Sequence, residues 1–315
     1  MIVTVTANPS VDRTIELPGP LERGEVLRAD TVRSQPGGKG INVARVVAEA
    51  ALPSLALLPA RAGDPLLEQL DAVHLPYRTI EADGPVRVNL TLAEPDGTTT
   101  KINESGAALS AGLIAQLTDL IAGAADGAAW VALCGSLPPG VPADWYATVA
   151  ERLHALRLRV AVDTSGPPLG AVAGARPDLL KPNAFELAEL TGGDGAFLEA
   201  AAADGDAEPT AAAAAALAER TGGAVLTTLG ASGALLTTPE GTWFARAPRV
   251  SVRSTVGAGD SSLAGYLIAE QRGDEPADCL RTAVAYGSAA AALPGTTPPT
   301  PAQLDLAGVH VRPLP

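Results

Sequence analysis

The segment Ser254-Thr255-Val256-Gly257-Ala258-Gly259-Asp260-Ser261-Ser262 runs directly into the helical pattern of Leu263–Glu270. Two glycines and an alanine where a chain enters a helix let a ligand approach the backbone closely. The first-turn amides, aided by the helix dipole, make an anion site there. A carboxylate at Asp260 would repel a phosphate held by those amides, so it suits a different task. It can take the proton from an attacking hydroxyl while the backbone of Gly257, Ala258 and Gly259 stabilises a transferring phosphoryl group. An aspartate in a first helical turn also stabilises the dipole without any catalytic part, and the motif alone leaves both readings open.

A second cluster, Gln35-Pro36-Gly37-Gly38-Lys39-Gly40-Ile41-Asn42-Val43-Ala44, opens another helix. Gly37 and Gly38 expose amides, Lys39 supplies a point charge, and Asn42 adds a carboxamide within the first turns. Upstream, Ala7-Asn8-Pro9-Ser10-Val11-Asp12 ends the first strand in a turn and places Asp12 at the carboxyl edge of a sheet. Ligands of open α/β sheets bind at that edge. Asp12 can accept two sugar hydroxyls there, or it can simply cap a turn.

Three further motifs follow apolar strands: Leu133-Cys134-Gly135-Ser136-Leu137-Pro138-Pro139-Gly140, Lys181-Pro182-Asn183-Ala184-Phe185-Glu186, and Thr228-Leu229-Gly230-Ala231-Ser232-Gly233. Asn183 and Glu186 have the spacing of a helix capping box, which physical reasoning favours for them. Two rival phosphate motifs fail. The Gly38-Lys39 pair is followed by Gly40, not by Ser or Thr, so no P-loop is present. Gly257-Ala258-Gly259 lies late in the chain and lacks the third glycine of a dinucleotide fingerprint, which disfavours a nicotinamide-dependent oxidoreductase. His74, His154 and His310 are far apart and give no zinc ligand set.

These motifs need a scaffold that brings strand ends together. Apolar runs of β type (Ile2–Ala7, Trp130–Cys134, Arg159–Val162, Ala224–Leu229) alternate with helical spacing (Ile41–Ala50, Ala111–Ile121, Ala143–Leu156, Ala211–Ala218). That alternation predicts an α/β fold, a doubly wound and mostly parallel sheet, over residues 1–315 as a single domain. Two insertions, roughly residues 13–34 and 77–105, read instead as strands joined by turns, a small β-sheet lid. Within the second, Arg87, Asn89 and Thr91 share one face, and so do Lys101 and Asn103. Such a face is an ordinary solvated one or a cover for an anionic ligand.

Composition narrows the function. The net charge of −13, with cations scattered, argues against a nucleic-acid partner. Anionic substrates must therefore be held by a few placed cations. No apolar run is long enough to span a bilayer, the N-terminus reads as a strand, and only Cys134 and Cys279 are present. A cytoplasmic protein is the expectation. The three lysines (Lys39, Lys101, Lys181) and five asparagines (Asn8, Asn42, Asn89, Asn103, Asn183) all fall in the motifs or the lid. In a chain that otherwise uses arginine for its cations, this points to a chemical need for an ammonium or a carboxamide there.

The motifs, in this order, resemble those of the ribokinase-like (PfkB-type) carbohydrate kinases: Asp12, Gly-Gly-Lys-Gly-x-Asn, Gly-Ser-Leu-Pro-Pro-Gly, Lys-Pro-Asn-x-x-Glu, Thr-Leu-Gly-x-x-Gly and Thr-Val-Gly-Ala-Gly-Asp. The resemblance spans essentially the whole chain. The wording Thr6-Ala7-Asn8-Pro9-Ser10-Val11-Asp12 and the segment Arg87-Val88-Asn89 are most similar to the family's 1-phosphofructokinase branch, with tagatose-6-phosphate kinase and 6-phosphofructokinase as near alternatives. The resemblance implies an ATP-dependent kinase acting on fructose 1-phosphate, with Asp260 as base and Gly257 to Gly259 as anion hole. It implies that Asp12, Gly37, Gly38, Lys39 and Asn42 bind the sugar, with Arg87 and Ser136 near its phosphate; Asn103 joins them from the lid face. Lys181, Thr228, Gly230, Ser232 and Gly233 would line the ATP groove, and Asn183 with Glu186 would organise Mg2+ through water. The lid is expected to serve also as the pairing surface of a homodimer. Val86 departs from the threonine often found before the lid arginine, and Lys101 has no counterpart in the pattern. A non-catalytic nucleotide or sugar sensor on the same fold is the competing class; it would be expected to lose Asp260 or the anion hole, and both are present.

Overall fold

The computed structural model describes residues 1–315. In chain order the strands are Ile2–Thr6 (β1), Ser10–Glu16 (β2), Thr31–Gly37 (β3), Ser54–Pro59 (β4), Tyr77–Ile80 (β5), Arg87–Ala93 (β6) and Thr99–Asn103 (β7). They continue with Trp130–Cys134 (β8), Val160–Asp163 (β9), Leu179–Leu180 (β10), Ala224–Thr228 (β11), Ala234–Thr238 (β12), Gly241–Arg246 (β13) and His310–Leu314 (β14). The helices are Lys39–Glu49 (α1), Pro65–Ala72 (α2), Ala111–Ala124 (α3), Trp145–Ala155 (α4) and Pro167–Ala173 (α5). Ala184–Thr191 (α6), Gly195–Ala203 (α7), Glu208–Thr221 (α8), Ala258–Gln271 (α9) and Pro276–Ala291 (α10) complete them.

Ten strands form the main sheet in the order β14-β13-β12-β11-β10-β9-β8-β1-β4-β5. From β11 through β5 every pairing is parallel, whereas β11 to β14 pair antiparallel. The strands alternate buried side chains between two cores, as the pleat requires. Val3, Val5, Val131 and Leu133 face one core, with α3, α4 and α8; Ile2, Trp130, Ala132 and Cys134 face the other, with α9 and α10. Helix α9 is buried from Asp260 through Ala269, so it is enclosed on all sides. Its approach to α10 depends on Gly265, where a Cβ would lie 2.8 Å from Tyr286 Cδ2 and 2.9 Å from Thr282 O. No helix is long and apolar enough to cross a membrane.

The lid is a separate sheet in the order β3-β2-β6-β7. Its boundaries differ from those expected. The first lid strand begins at Ser10, so Asp12 belongs to the lid itself, just beyond the carboxyl end of β1. Tyr77–Ile80 lies in the main sheet, parallel to β4, because helix α2 supplies the crossover that a parallel neighbour requires. The second lid segment is thus β6 and β7 alone. The antiparallel extension β12–β14 was not foreseen either.

Candidate active site

Every parallel strand that carries a motif releases it at the same carboxyl edge. The turn after β1 leads to Asp12, the ends of β8, β9 and β10 carry Ser136, Asp163 and Lys181, and β11 ends at Thr228. Two helices add their N-termini. Gly38 is the N-cap of α1 and Gly257 that of α9, and neither helix has a side-chain cap. Gly257 sits at φ 80°, the left-handed region that glycine adopts freely. The amides of Gly257, Gly259 and Asp260 find no acceptor within the protein. Donors left open at a helix start are what an anion hole needs.

Asp260, in the first turn of α9, is buried and accepts a 2.8 Å hydrogen bond from Asn42 Nδ2. Burial is the main force raising its carboxyl, the nearby Asp163 carboxylate adds to it, and the pKa is pushed up to about 6. Lys39, Asn42 and Lys181 oppose that rise without cancelling it.

Asp163 is the residue that sequence reading missed. It closes β9 at 1% exposure, with Lys39 Nζ 2.7 Å from Oδ1 and Lys181 Nζ 3.0 Å from Oδ2. The first contact is an aligned hydrogen bond; the second is an ion pair in which Oδ2 lacks an aligned donor. Burial alone would raise the Asp163 carboxyl, but the two ammonium groups bring it below its ordinary value. Burial likewise opposes the charge on Lys39, yet Asp163 and Asp260 prevail and raise it. The two lysines expected on opposite sides of the site thus meet on one carboxylate. The signal was available: an apolar strand running into an aspartate at a carboxyl edge.

The residues expected on the sugar side come together around Asp12 and Arg87. Asp12 Oδ1 accepts from Ser10 Oγ at 2.8 Å and from Asn89 Nδ2 at 3.0 Å, which fixes the carboxylate. A Cβ on Gly37 would lie 2.3 Å from Asp12 Cγ, so glycine there is what admits the carboxylate. In the lid register Gln35, Asp12, Asn89 and Asn103 form one cross-strand row, and Arg33, Thr14, Thr91 and Lys101 the next on that face. Arg87 is committed to main-chain carbonyls, Nη1 to Glu104 O at 2.9 Å and Nη2 to Asn8 O at 3.2 Å, while its buried Nε has no partner. It therefore anchors the lid as well as presenting charge. Asn8 Nδ2 reaches Ser105 O and Ser136 Oγ, tying the lid's end to the Ser136 turn.

On the other side lies a cleft of about 730 Å³ lined by Asn183, Thr228, Gly230, Gly233, Ala258 and Gly259 among others. It ends against the start of α9. Two expected members do not line it. Ser232 belongs to the short turn Gly230–Ser232 outside the lining, and Lys181 lies beneath it, with Nζ 3.4 Å from where a Gly259 Cβ would be. Asn183 and Glu186 form a reciprocal capping box: Asn183 Oδ1 accepts from Glu186 N at 2.9 Å, and Glu186 Oε2 from Asn183 N at 2.8 Å. The arrangement can therefore hold a polyphosphate along the cleft, a hydroxyl-rich anion under the lid, and a base between them.

Comparison with known proteins agrees. Residues 5–303 match the pfkB family of carbohydrate kinases. A 1-phosphofructokinase of Rhodobacter capsulatus is 35% identical, covering 96% of this chain and 94% of its own. An ATP-dependent 6-phosphofructokinase isozyme 2 of Mycobacterium tuberculosis is 34% identical, covering 94% and 85%. Among solved structures, Escherichia coli phosphofructokinase-2 in complex with fructose-6-phosphate superposes with a TM-score of 0.84 at 29% identity, covering 92% of this chain and 93% of that one. With the site's motifs spread along the whole matched length, this chain belongs to the pfkB family and is a carbohydrate kinase.

Proposed function

We propose that the chain transfers the γ-phosphoryl group of ATP to the C6 hydroxyl of fructose 1-phosphate, giving fructose 1,6-bisphosphate. The observation that carries the reading is Asp260: a buried carboxylate, held by Asn42, set among open amides at the start of α9, where the cleft ends. In this reading Asp260 takes the hydroxyl proton as the O6–P bond forms and the bond to ADP breaks. The amides of Gly257, Gly259 and Asp260, with Lys39 and Lys181, face the negative charge spread over the transferring group. Asp12 orients the sugar through its unengaged Oδ2. Arg87, Lys101, Asn103 and Ser136 serve the sugar's own phosphate.

Mg2+ fits this donor set. One oxygen of Glu186 is used in the capping box and the other is unengaged, which suits a cation that keeps its waters and takes only one or two carboxylates beside substrate phosphates. Glu186 and Asn183 would hold it through water, and it would neutralise phosphate charge. The exposed apolar Val32 and Ile102 on the lid's outer face support pairing of two copies there.

The 6-phosphofructokinase relative keeps fructose 6-phosphate as a second reading. A panel of fructose 1-phosphate, fructose 6-phosphate and tagatose 6-phosphate, assayed with ATP and magnesium, separates them. The expected result is the highest kcat/KM on fructose 1-phosphate. A preference for either 6-phosphate, or no turnover on any of them, overturns the substrate assignment.

A further inference from the structure

We infer that Gln35 is a positioning residue that ties the lid's hold on the phosphosugar to the shape of the anion hole. The inference rests on the proposed phosphosugar kinase reading and adds a residue to it. Gln35 pairs with Asp12 across the lid, so whatever moves the sugar-holding carboxylate moves its neighbour in register. Yet the Gln35 side chain leaves the lid. Its Oε1 accepts from Thr296 N at 3.2 Å and lies 3.3 Å from Thr296 Oγ1, far along the chain.

Thr296 is held from three sides. Its carbonyl accepts from Arg45 Nη1 at 3.1 Å, and the same Arg45 nitrogen lies 3.4 Å from Pro36 O, the residue after Gln35. Arg45 is buried in α1, one turn beyond the Asn42 that holds Asp260. The third side is the anion hole. Thr296 Cγ2, Cα and Cβ lie 3.7–3.8 Å from the position of a Cβ on Gly257, the left-handed residue that starts α9. Asn42, Gly257 and Thr296 also border one void of about 10 Å³, space for a single water at most. The loop is shaped for this contact. Gly295 has φ 60°, and a Cβ there would stand 2.7 Å from Gln35 Oε1.

A continuous packed path therefore runs from Asp12 through Gln35 and Thr296 to Gly257. Interiors are close-packed and transmit displacement rather than absorb it. A shift of β3 on sugar binding then reaches the amides that face the transferring phosphoryl group, and those amides become correctly placed when the lid is loaded. A plain structural tie would hold the same contacts but would leave the two substrates independent.

The two cases separate in the full-length protein with Gln35→Met, which keeps chain length but loses the acceptor, and Gln35→Glu, which keeps it. Steady-state kinetics are combined with the Kd of a non-hydrolysable ATP analogue, with and without phosphosugar. The expected result for Gln35→Met is a kcat lowered about ten- to a hundredfold, the scale of a misplaced reacting group. Its Kd for the analogue alone stays at the wild-type value, and the tightening of that Kd by phosphosugar, present in the wild type, disappears. Gln35→Glu recovers most of the kcat. An unchanged kcat in Gln35→Met overturns the inference, as do equal losses in both variants or a wild type whose analogue Kd ignores phosphosugar. Should Gln35→Met fail to fold, Thr296→Val removes one of the two donors and must show the same split in smaller degree; no split there overturns the inference too. Wild-type turnover on the phosphosugar panel is read first. Failure there removes the functional reading itself, whereas a loss confined to the variants bears on the coupling alone.

Discussion

At the carboxyl edge of the main sheet, Lys181 and Asp163 are 5% and 1% exposed and paired, and Asn42 donates to the buried Asp260. On the lid, Lys101 and Asn103 are exposed and engage no other side chain. The same residue types thus sit under opposite conditions a short way apart. Buried charges must find partners for the chain to fold at all, so their positions are fixed before any ligand arrives. Exposed ones carry no such obligation and are free to turn toward a ligand. In the proposed reading chemistry belongs to the edge and capture to the lid, and that division can be broken at either end.

The largest effect is expected at Asp260. Asp260→Asn keeps the shape and the contact with Asn42 but cannot accept the hydroxyl proton, and loss of a general base lowers kcat by about 10² to 10⁴. The carboxyl is raised from 3.8 to about 6 in the folded chain. Between those values the folded state binds more protons than the unfolded one, so stability falls as pH rises through this window and the deficit persists above it. Asp260→Asn removes that deficit, so its melting temperature at pH 7.5 is expected to exceed the wild type's while turnover collapses. In the wild type, kcat should fall as pH drops through about 6, where the base becomes protonated. Kinetics and melts on one preparation check both signs; normal turnover, or a less stable variant, breaks the assignment.

Asp163→Asn comes next. Removing one partner of a buried ion pair leaves the others uncompensated and typically costs about 3–5 kcal/mol. Here two ammonium groups, Lys39 and Lys181, lose their shared counter-ion. After burial, Asp163 is also the foremost cause of the raised Asp260 carboxyl. Denaturant unfolding is expected to show the stability loss, and the acid limb of the pH–rate profile should move below about 6. A stable variant with an unmoved limb would show that the two lysines are held by something other than this carboxylate.

The sequence announced these regions unevenly, for physical reasons. Strands buried on both faces and helices with regular spacing made the parallel core legible, and the rarity of Lys and Asn singled out side chains that the structure does bring to the edge or the lid. Asn183 and Glu186 were read as a capping box, and the box is present with both bonds. Asp163 was passed over although the apolar strand before it marks a carboxyl edge; its meaning lies in Lys39 and Lys181, which only the fold brings to it. The Gln35–Thr296 contact was likewise invisible, since nothing local in either residue predicts the other. Tyr77–Ile80 was placed in the lid because its run is short and follows a segment in which helix α2 was not recognised. Pairing over long sequence separation is what local pattern carries least.

The smallest effect is expected at Lys101, and it tests the lid half of the comparison. Lys101 pairs with Thr91 across the lid, one row beyond Asn89 and Asn103, on the face that carries Asp12. It is exposed and forms no ion pair in the protein, so Lys101→Ala should leave the melting temperature unchanged. If the lid captures the sugar's phosphate, the substitution removes a charge-assisted contact worth about 1.5 kcal/mol at the weak end of the range, roughly tenfold in affinity. The KM for the phosphosugar should rise by about that factor, with KM for ATP and kcat little changed. Because the contact is exposed, the rise should shrink as salt is added, within a screening length of about 8 Å at physiological ionic strength. Arg87→Ala, by contrast, also releases Asn8 and Glu104 from the lid's base and should lower stability along with sugar affinity. If Lys101→Ala is silent at low salt, the lid's free cation is only a solvated one, and capture must then rest on Arg87 and the residues around Asp12.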